Sequence, residues 1–381
     1  MNLFYHNEYD GIEFSYFASK GFNLIELSKN DNSYAEKINN CDILFIKLDD
    51  IDYINKNINP IYKLIIFLFI NHEYCNKHRR KDIIQNKNIN HKIYFITTHL
   101  DNETIDYDLG LRTKCLPFER VFAKDIEVKN ERNKTFNFFN RSINLRRLKV
   151  FELIKDTELK NCYYTFGNII KKDTFKDVKN IKQFLEYRNG NGRNGSDDLK
   201  IDVDLLESLK YKFILLEDRN AVENGLIQSS SDAEMYREIN KLSADSYVSF
   251  IIESSGDSGD DLRITEKTIR AWMYKNIFLP LQCSGYSRAL RNNGIETFED
   301  VFGLEIGWDE TKSETKRIEI FVDALIRFNE LSIEKVKELY DRSDIQKRLE
   351  NNYNVLRGCF NPLNAIMEID KLIGYENNVF K

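Results

Sequence analysis

The sequence is poor in the residues that build covalent or metal frameworks. Its six cysteines, Cys41, Cys75, Cys115, Cys162, Cys283 and Cys359, are scattered and form no CxxC pair. That argues against a disulfide scaffold or a zinc site and leaves buried thiols in a reducing compartment. Histidine is limited to His6, His72, His78, His91 and His99, and no HExxH occurs. The longest apolar run, Leu64 to Ile70, is far too short to span a bilayer. The first residues, Met1-Asn2-Leu3-Phe4-Tyr5-His6, lack a basic segment followed by an apolar run, so no signal peptide is expected. Positive charge is not in excess either. The 56 Lys plus Arg face 61 Asp plus Glu, and the net of -5 argues against binding nucleic acid over the whole surface, leaving only a local basic groove. Proline is scarce and Asn, Lys and Ile are abundant, a bias of AT-rich coding that carries no mechanism. No internal repeat of fixed period is present.

What is present describes a folded chain. An apolar fraction of 42% and an aromatic fraction of 13% exclude disorder, and 381 residues suffice for two domains, each with its own core. The first hundred residues alternate strand-like and helix-like segments. Strands are predicted at Leu3 to Tyr5, Asn23 to Leu27, Cys41 to Leu48, Leu64 to Ile70 and Lys92 to Thr97. Helices are predicted at Gly11 to Phe22, Ser33 to Asn39 and Glu73 to Gln85. Continuous apolar strands separated by helices mean a parallel sheet covered on both faces. A charged run, Lys124 to Lys134, follows, and the domain boundary is placed there: 1–130, then 131–381.

The second series begins with a strand at Thr135 to Phe139 and a turn at Asn140 to Ser142. A helix is predicted at Leu145 to Ile154, with Arg146, Arg147 and Lys149 on its polar side. Further strands are read at Cys162 to Phe166, up to Glu253, and at Ile277 to Leu281. Helices are read at Tyr286 to Asn292 and through 313–356. The fold class is therefore α/β, with two Rossmann-like domains facing a cleft and additional C-terminal helices. Such sheets bind ligands at the carboxyl ends of their strands. Glu253, Asn140, Arg141, His72 and Glu73 all stand at such ends.

Around Glu253 the pattern is dense. Ser249-Phe250-Ile251-Ile252-Glu253 ends a strand, and a loop with Asp257, Asp260 and Asp261 follows. Thr265 then reads as the N-cap of a helix through Met273, with Thr268 where a capping box would have Glu or Gln. Lys267 falls in the first turn, against the helix dipole, which marks it as a lysine held by a bound anion. Arg141 and Arg147 offer guanidinium groups for phosphate oxygens; the alternative is a solvated helix face. Glu73, beside His72, is the nominated base for a hydroxyl nucleophile, with Asp49 and Asp50 in reserve; alternatively Glu73 only starts a helix.

Other motifs carry less. Gly190-Asn191-Gly192-Arg193-Asn194-Gly195 spells a dinucleotide fingerprint, but a helix precedes it and Ser196-Asp197-Asp198 follows, so it reads as a surface loop. Asp202 and Asp204 have the spacing of a metal-bridging pair, yet Asp204 also suits an N-cap. The acidic loop lacks the calcium-loop pattern and reads as solvated.

Ser249 to Ser254, with Ile264-Thr265-Glu266-Lys267 and the later Asn276-Ile277-Phe278-Leu279-Pro280, resembles the donor-binding half of fucosyltransferase-like and exostosin-like glycosyltransferases. Gly285-Tyr286-Ser287-Arg288-Ala289-Leu290, Gly294-Ile295-Glu296-Thr297-Phe298 and Arg317 fit a pattern of uncharacterised, often phage-borne relatives. The likeness covers roughly 135–330, patchily. It implies a GT-B fold and a nucleotide-diphosphate sugar, such as a UDP- or GDP-sugar, as co-substrate. Lys267 and Arg141 or Arg147 would hold the diphosphate, Glu266 the ribose hydroxyls, and Glu253 would line the sugar side. No metal is required where fixed cations stabilise the leaving group. Ser254 stands where Asn is typical, so the sugar is left open. The acceptor is a glycan, or a hydroxymethylated base of phage DNA touched by Lys77, Arg79, Arg80 and Lys81, a run that also suits a solvated helix face. The rival reading is a sugar-nucleotide sensor or interaction protein without catalysis. No membrane span is expected, and the location expected is the cytoplasm of a bacterium or a phage-infected host.

Overall fold

In a computed structural model of the chain, the residues described are 2–6, 15–27, 42–47, 65–69, 92–96, 126–142, 145–169, 232–253, 264–359 and 370. The chain divides into two compact units, Met1–Glu119 with Arg357–Lys381, and Arg120–Leu356.

In the first unit five strands form one parallel sheet. They are β1 (Asn2–His6), β2 (Asn23–Leu27), β3 (Ile43–Lys47), β4 (Ile65–Phe69) and β5 (Lys92–Ile96), in the order β2-β1-β3-β4-β5. Each falls within two residues of its predicted bounds, because an apolar run of this length bounded by polar residues suits a parallel strand. Residues 11–14 of the helix predicted at Gly11 to Phe22 lie outside the described residues, and its described part is α1 (Ser15–Ser19). It stops at Gly21, whose positive φ of 85° is open to glycine. Phe17 of α1 is fully buried and lies edge-on to Phe22 and beside Phe45 of β3. Hydrophobic contact between α1 and the sheet thus seats this corner of the unit.

The second unit carries a four-stranded parallel sheet in the order β7-β6-β8-β9. Its strands are β6 (Lys134–Ser142), β7 (Cys162–Ile169), β8 (Ser246–Ile252) and β9 (Ile277–Leu281). The predicted turn at Asn140 to Ser142 is instead the end of β6. Asn140 still pairs with Phe166 and Ser142 with Ile169, with a register shift between them. A polar triplet reads as a turn in isolation, but here the backbone bonds of a neighbouring strand are on offer and override it.

The further described α-helices are α2 (Leu145–Ile154), α3 (Asp232–Ala244), α4 (Glu266–Met273), α5 (Tyr286–Asn292), α6 (Glu314–Asn329), α7 (Ile333–Tyr340) and α8 (Ser343–Cys359), with 3-10 turns at Glu299–Phe302 and Trp308–Glu310 between α5 and α6. All seven residues of β8 are buried, as a strand covered on both faces must be. Phe250 of β8 is the aromatic hub. Its ring meets Phe136 of β6, Phe302, and Phe321 and Phe328 of α6. Trp272 of α4 packs against Phe278 of β9, which in turn meets Phe298. Pro280 lies in β9, at the edge of the described sheet, where a missing N–H costs no ladder bond.

The amino end of this sheet is closed by Arg132. Its guanidinium donates to the carbonyls of Ser246 (2.5 Å), Tyr274 (2.9 Å) and Lys275 (3.2 Å) and to the Tyr340 hydroxyl (2.6 Å). It also lies over the Tyr340 ring at 4.6 Å. One side chain thus joins the start of β8, the end of α4 and α7. Burial pulls its pKa below the usual arginine value, but the tyrosines and Asp245 favour the charged form. Arg132→Leu is expected to cost about 3 kcal/mol or more, because it strands several buried acceptors. Arg132→Lys should recover only a minor part, since a point charge cannot match the planar fork. Urea unfolding of the three proteins measures both.

Candidate functional site

The site is built where β8 ends. In this sheet the chain order reverses between β6 and β8, because β7 lies on the far side of β6. A crevice at the carboxyl ends of two such strands is the usual ligand position in parallel sheets. Asn137 of β6 donates to Ser249 of β8 at 2.9 Å and locks the two strands together just below it.

Glu253 follows directly on β8 and is completely buried. Its backbone N–H continues the ladder to the carbonyl of Leu281 at 3.1 Å. Its carboxylate is fully engaged. One oxygen accepts the Thr265 hydroxyl. The other accepts the Thr268 hydroxyl at 2.5 Å and the Thr265 backbone N–H at 3.4 Å. The Thr268 proton points to Glu253, so the Tyr286 hydroxyl, 3.4 Å away, acts as donor to Thr268. Burial first, and then the charge of Glu253, pushes the Tyr286 phenol well above its ordinary pKa, which keeps it a donor. Glu253 therefore faces the start of α4. The contacts form a clamp, because a buried carboxylate needs several donors and the two threonines supply them.

Thr265 is the N-cap of α4, as the sequence reading expected, and its hydroxyl accepts from the backbone N–H of Lys267 at 3.4 Å. Lys267 lies in the first turn. Its ammonium donates to Glu266 at 2.5 Å, with the two side chains only 12% and 24% exposed. Burial works against the charged form of Glu266. The adjacent Lys267, and then Arg270, override it and hold the carboxyl down at about 2. The lysine placed against the helix dipole is thus compensated by its own neighbour. The amphipathic face behind it, Ile269, Ala271 and Trp272, anchors the helix in the core.

The arginines of α2 do not form the solvated face weighed as the alternative to phosphate contact. Arg146 and Arg147 are 3% and 0% exposed. Arg147 donates to the Ile252 carbonyl at 2.9 Å, holding the residue just before Glu253. Arg146 pairs with Glu314, at the start of α6, at 2.6 Å. A charged helix face turns inward here because strand-end carbonyls and a carboxylate wait for it. For Arg141 the backbone lies in β6, near its carboxyl end.

Two further residues complete this end of the sheet: Arg317, named in the sequence only through the likeness, and Asp309, which sequence reasoning missed. Arg317 of α6 donates to the carbonyls of Gln282 (3.3 Å) and Thr311 (2.5 Å), and burial lowers its pKa despite the nearby Glu314. Asp309 accepts the Ser287 N–H at 2.7 Å and so caps α5; burial pushes its carboxyl upward. Only the likeness of spacing around Tyr286 and Arg317 could have pointed to them. His72 and Glu73 lie outside the described residues, as do Asp49, Asp50, Asp202, Asp204, the glycine-rich 190–195, the acidic Asp257, Asp260 and Asp261, and Lys77 to Lys81.

Among the described residues, no group of three or more His, Cys, Asp or Glu could hold a metal ion, and no helix is long and apolar enough to cross a membrane. No protein-family model matches the chain, and no curated protein matches it.

The clamp and the ion pair give two expectations. Glu253→Ala should lower stability by about 3 kcal/mol, because two buried hydroxyls and an N–H lose their acceptor; a loss under about 1 kcal/mol in urea unfolding would count against the clamp. Glu266 has a folded pKa below its ordinary 4.5. Its stabilisation is therefore complete above pH 4.5 and declines as pH falls toward about 2. The stability gap between the parent and Glu266→Gln should narrow across that window, as unfolding curves at successive pH values would show.

Proposed function

We propose that the chain is a glycosyltransferase of GT-B-like arrangement that moves a sugar from a nucleotide-diphosphate donor to a hydroxyl. The single observation that carries this is the turn after β8. Lys267 and Glu266 stand together at the start of α4, fixed from beneath by a buried Glu253. A fixed cation beside a carboxylate matches a ligand with phosphate oxygens and neighbouring hydroxyls. The residues that carry the likeness to fucosyltransferase-like and exostosin-like enzymes include the same ones.

In the reaction the acceptor oxygen forms a bond to the anomeric carbon as the bond from that carbon to the diphosphate breaks. The nucleoside diphosphate leaves with the electron pair, and a base takes the acceptor proton. Lys267 stabilises the charge that grows on the leaving group, so a metal is not required. Arg141 is the arginine retained for the diphosphate, since Arg147 is committed to the Ile252 carbonyl. Glu73 with His72 remains the nominated base. The acceptor belongs to the glycan class, or to hydroxymethylated DNA.

The test is a thermal-shift panel of uridine, guanosine and cytidine diphosphates and their sugars, followed by assays of donor consumption. At least one should raise the melting temperature, and Lys267→Ala should abolish the rise. A shift that survives the substitution would place the site elsewhere. Binding with no donor consumed in the presence of glycan or DNA acceptors would turn the protein into a sensor.

A further inference from the structure

In the described structure the cation of the site is already occupied. The Lys267 ammonium sits on the Glu266 carboxylate at 2.5 Å, and both side chains are largely covered. The Thr265 hydroxyl lies 3.5 Å from the same ammonium but is itself bound to Glu253. The first-turn N–H of Lys267 is likewise taken by Thr265. An arriving anion therefore meets a paired ammonium and not a bare positive charge.

We propose that Glu266 acts as a gate on Lys267, excluding simple anions and admitting only ligands that offer hydroxyl donors together with phosphate oxygens. The proposal rests on the reading of the site as a nucleotide-diphosphate site. A bare polyphosphate must pull Lys267 from its partner and leave the Glu266 carboxylate partly covered, unpaired and next to new negative charge. That arrangement is penalised twice, by desolvation and by repulsion. A nucleoside diphosphate escapes both penalties. Its phosphate takes the ammonium while the ribose diol donates to the released carboxylate, so no charge is left stranded. The gate stays charged at neutral pH, because Lys267 and Arg270 override burial and hold the Glu266 carboxyl low. The chemistry that opens it is thus bifunctional, and cellular phosphate and pyrophosphate do not compete for the site.

Calorimetry on the full chain with inorganic pyrophosphate, UDP and GDP tests this. If the pair is closed about nine-tenths of the time, Glu266→Gln should bind pyrophosphate about tenfold tighter than the parent. The preference for the nucleoside diphosphate over pyrophosphate should shrink by a similar factor. Glu266→Ala, which also frees the ammonium, should behave alike and guards against misfolding of one variant. Glu266→Gln combined with Lys267→Met should lose the gain. Equal pyrophosphate affinity in the parent and both single variants overturns the gate, even where UDP or GDP binds the parent and the wider reading stands. A gain for pyrophosphate with no binding of either nucleotide to the parent leaves the gate and removes the nucleotide reading.

Discussion

The buried carboxylate of Glu253 is the constraint on which the site depends. A carboxylate removed from water must find several donors or lose its charge. Glu253 finds them on a single short stretch, at Thr265 and Thr268, twelve and fifteen residues along the chain. The result ties the end of a central strand to the start of a helix. The position of Lys267 and Glu266 in space then follows from the sheet, since α4 cannot turn about its axis without breaking both threonine bonds. Arg147 secures the other side by holding the carbonyl of Ile252. The start of α4 is therefore tied to the end of β8 through both threonines.

Charge is organised around this end of the sheet on the same principle. Arg146, Arg147 and Arg317 are all buried, and each meets a carbonyl or a carboxylate. Parallel strands end in carbonyls without partners, and guanidinium groups supply several donors at once. Arg132 does the same work at the opposite end, where strand, helix and tyrosines converge. The aromatic centre around Phe250 lies between the two. Polar staples above and below an apolar middle explain how a unit with so many buried charges keeps them paired.

Much of the fold was legible in the residues. The apolar runs at Cys41 to Leu48, Leu64 to Ile70 and Ile277 to Leu281 could be read as strands because a parallel sheet covered on both faces demands continuous hydrophobicity. Thr265 could be read as an N-cap because its hydroxyl and its position before an amphipathic run leave few other roles. Asn140 to Ser142 and the arginines of α2 were not legible. A polar residue reads as exposed until its partner is known, and their partners lie on elements distant in sequence: β7 for Asn140, β8 for Arg147, α6 for Arg146.

By itself, then, the sequence determined the local elements, the alternation that makes parallel sheets, and the grouping of Thr265, Glu266 and Lys267 on one turn. Each of these depends on neighbours within a few residues, through periodicity, capping and chain direction. Tertiary structure alone decided which charges face inward and whom they meet. It brought Thr265 and Thr268 to Glu253, Ile252 to Arg147 and Glu314 to Arg146. The physical reason is that burial of a charge is a property of the assembled environment. A carboxylate or a guanidinium is the same group on the surface and in the core, and only the donors and acceptors brought to it by folding settle which it is.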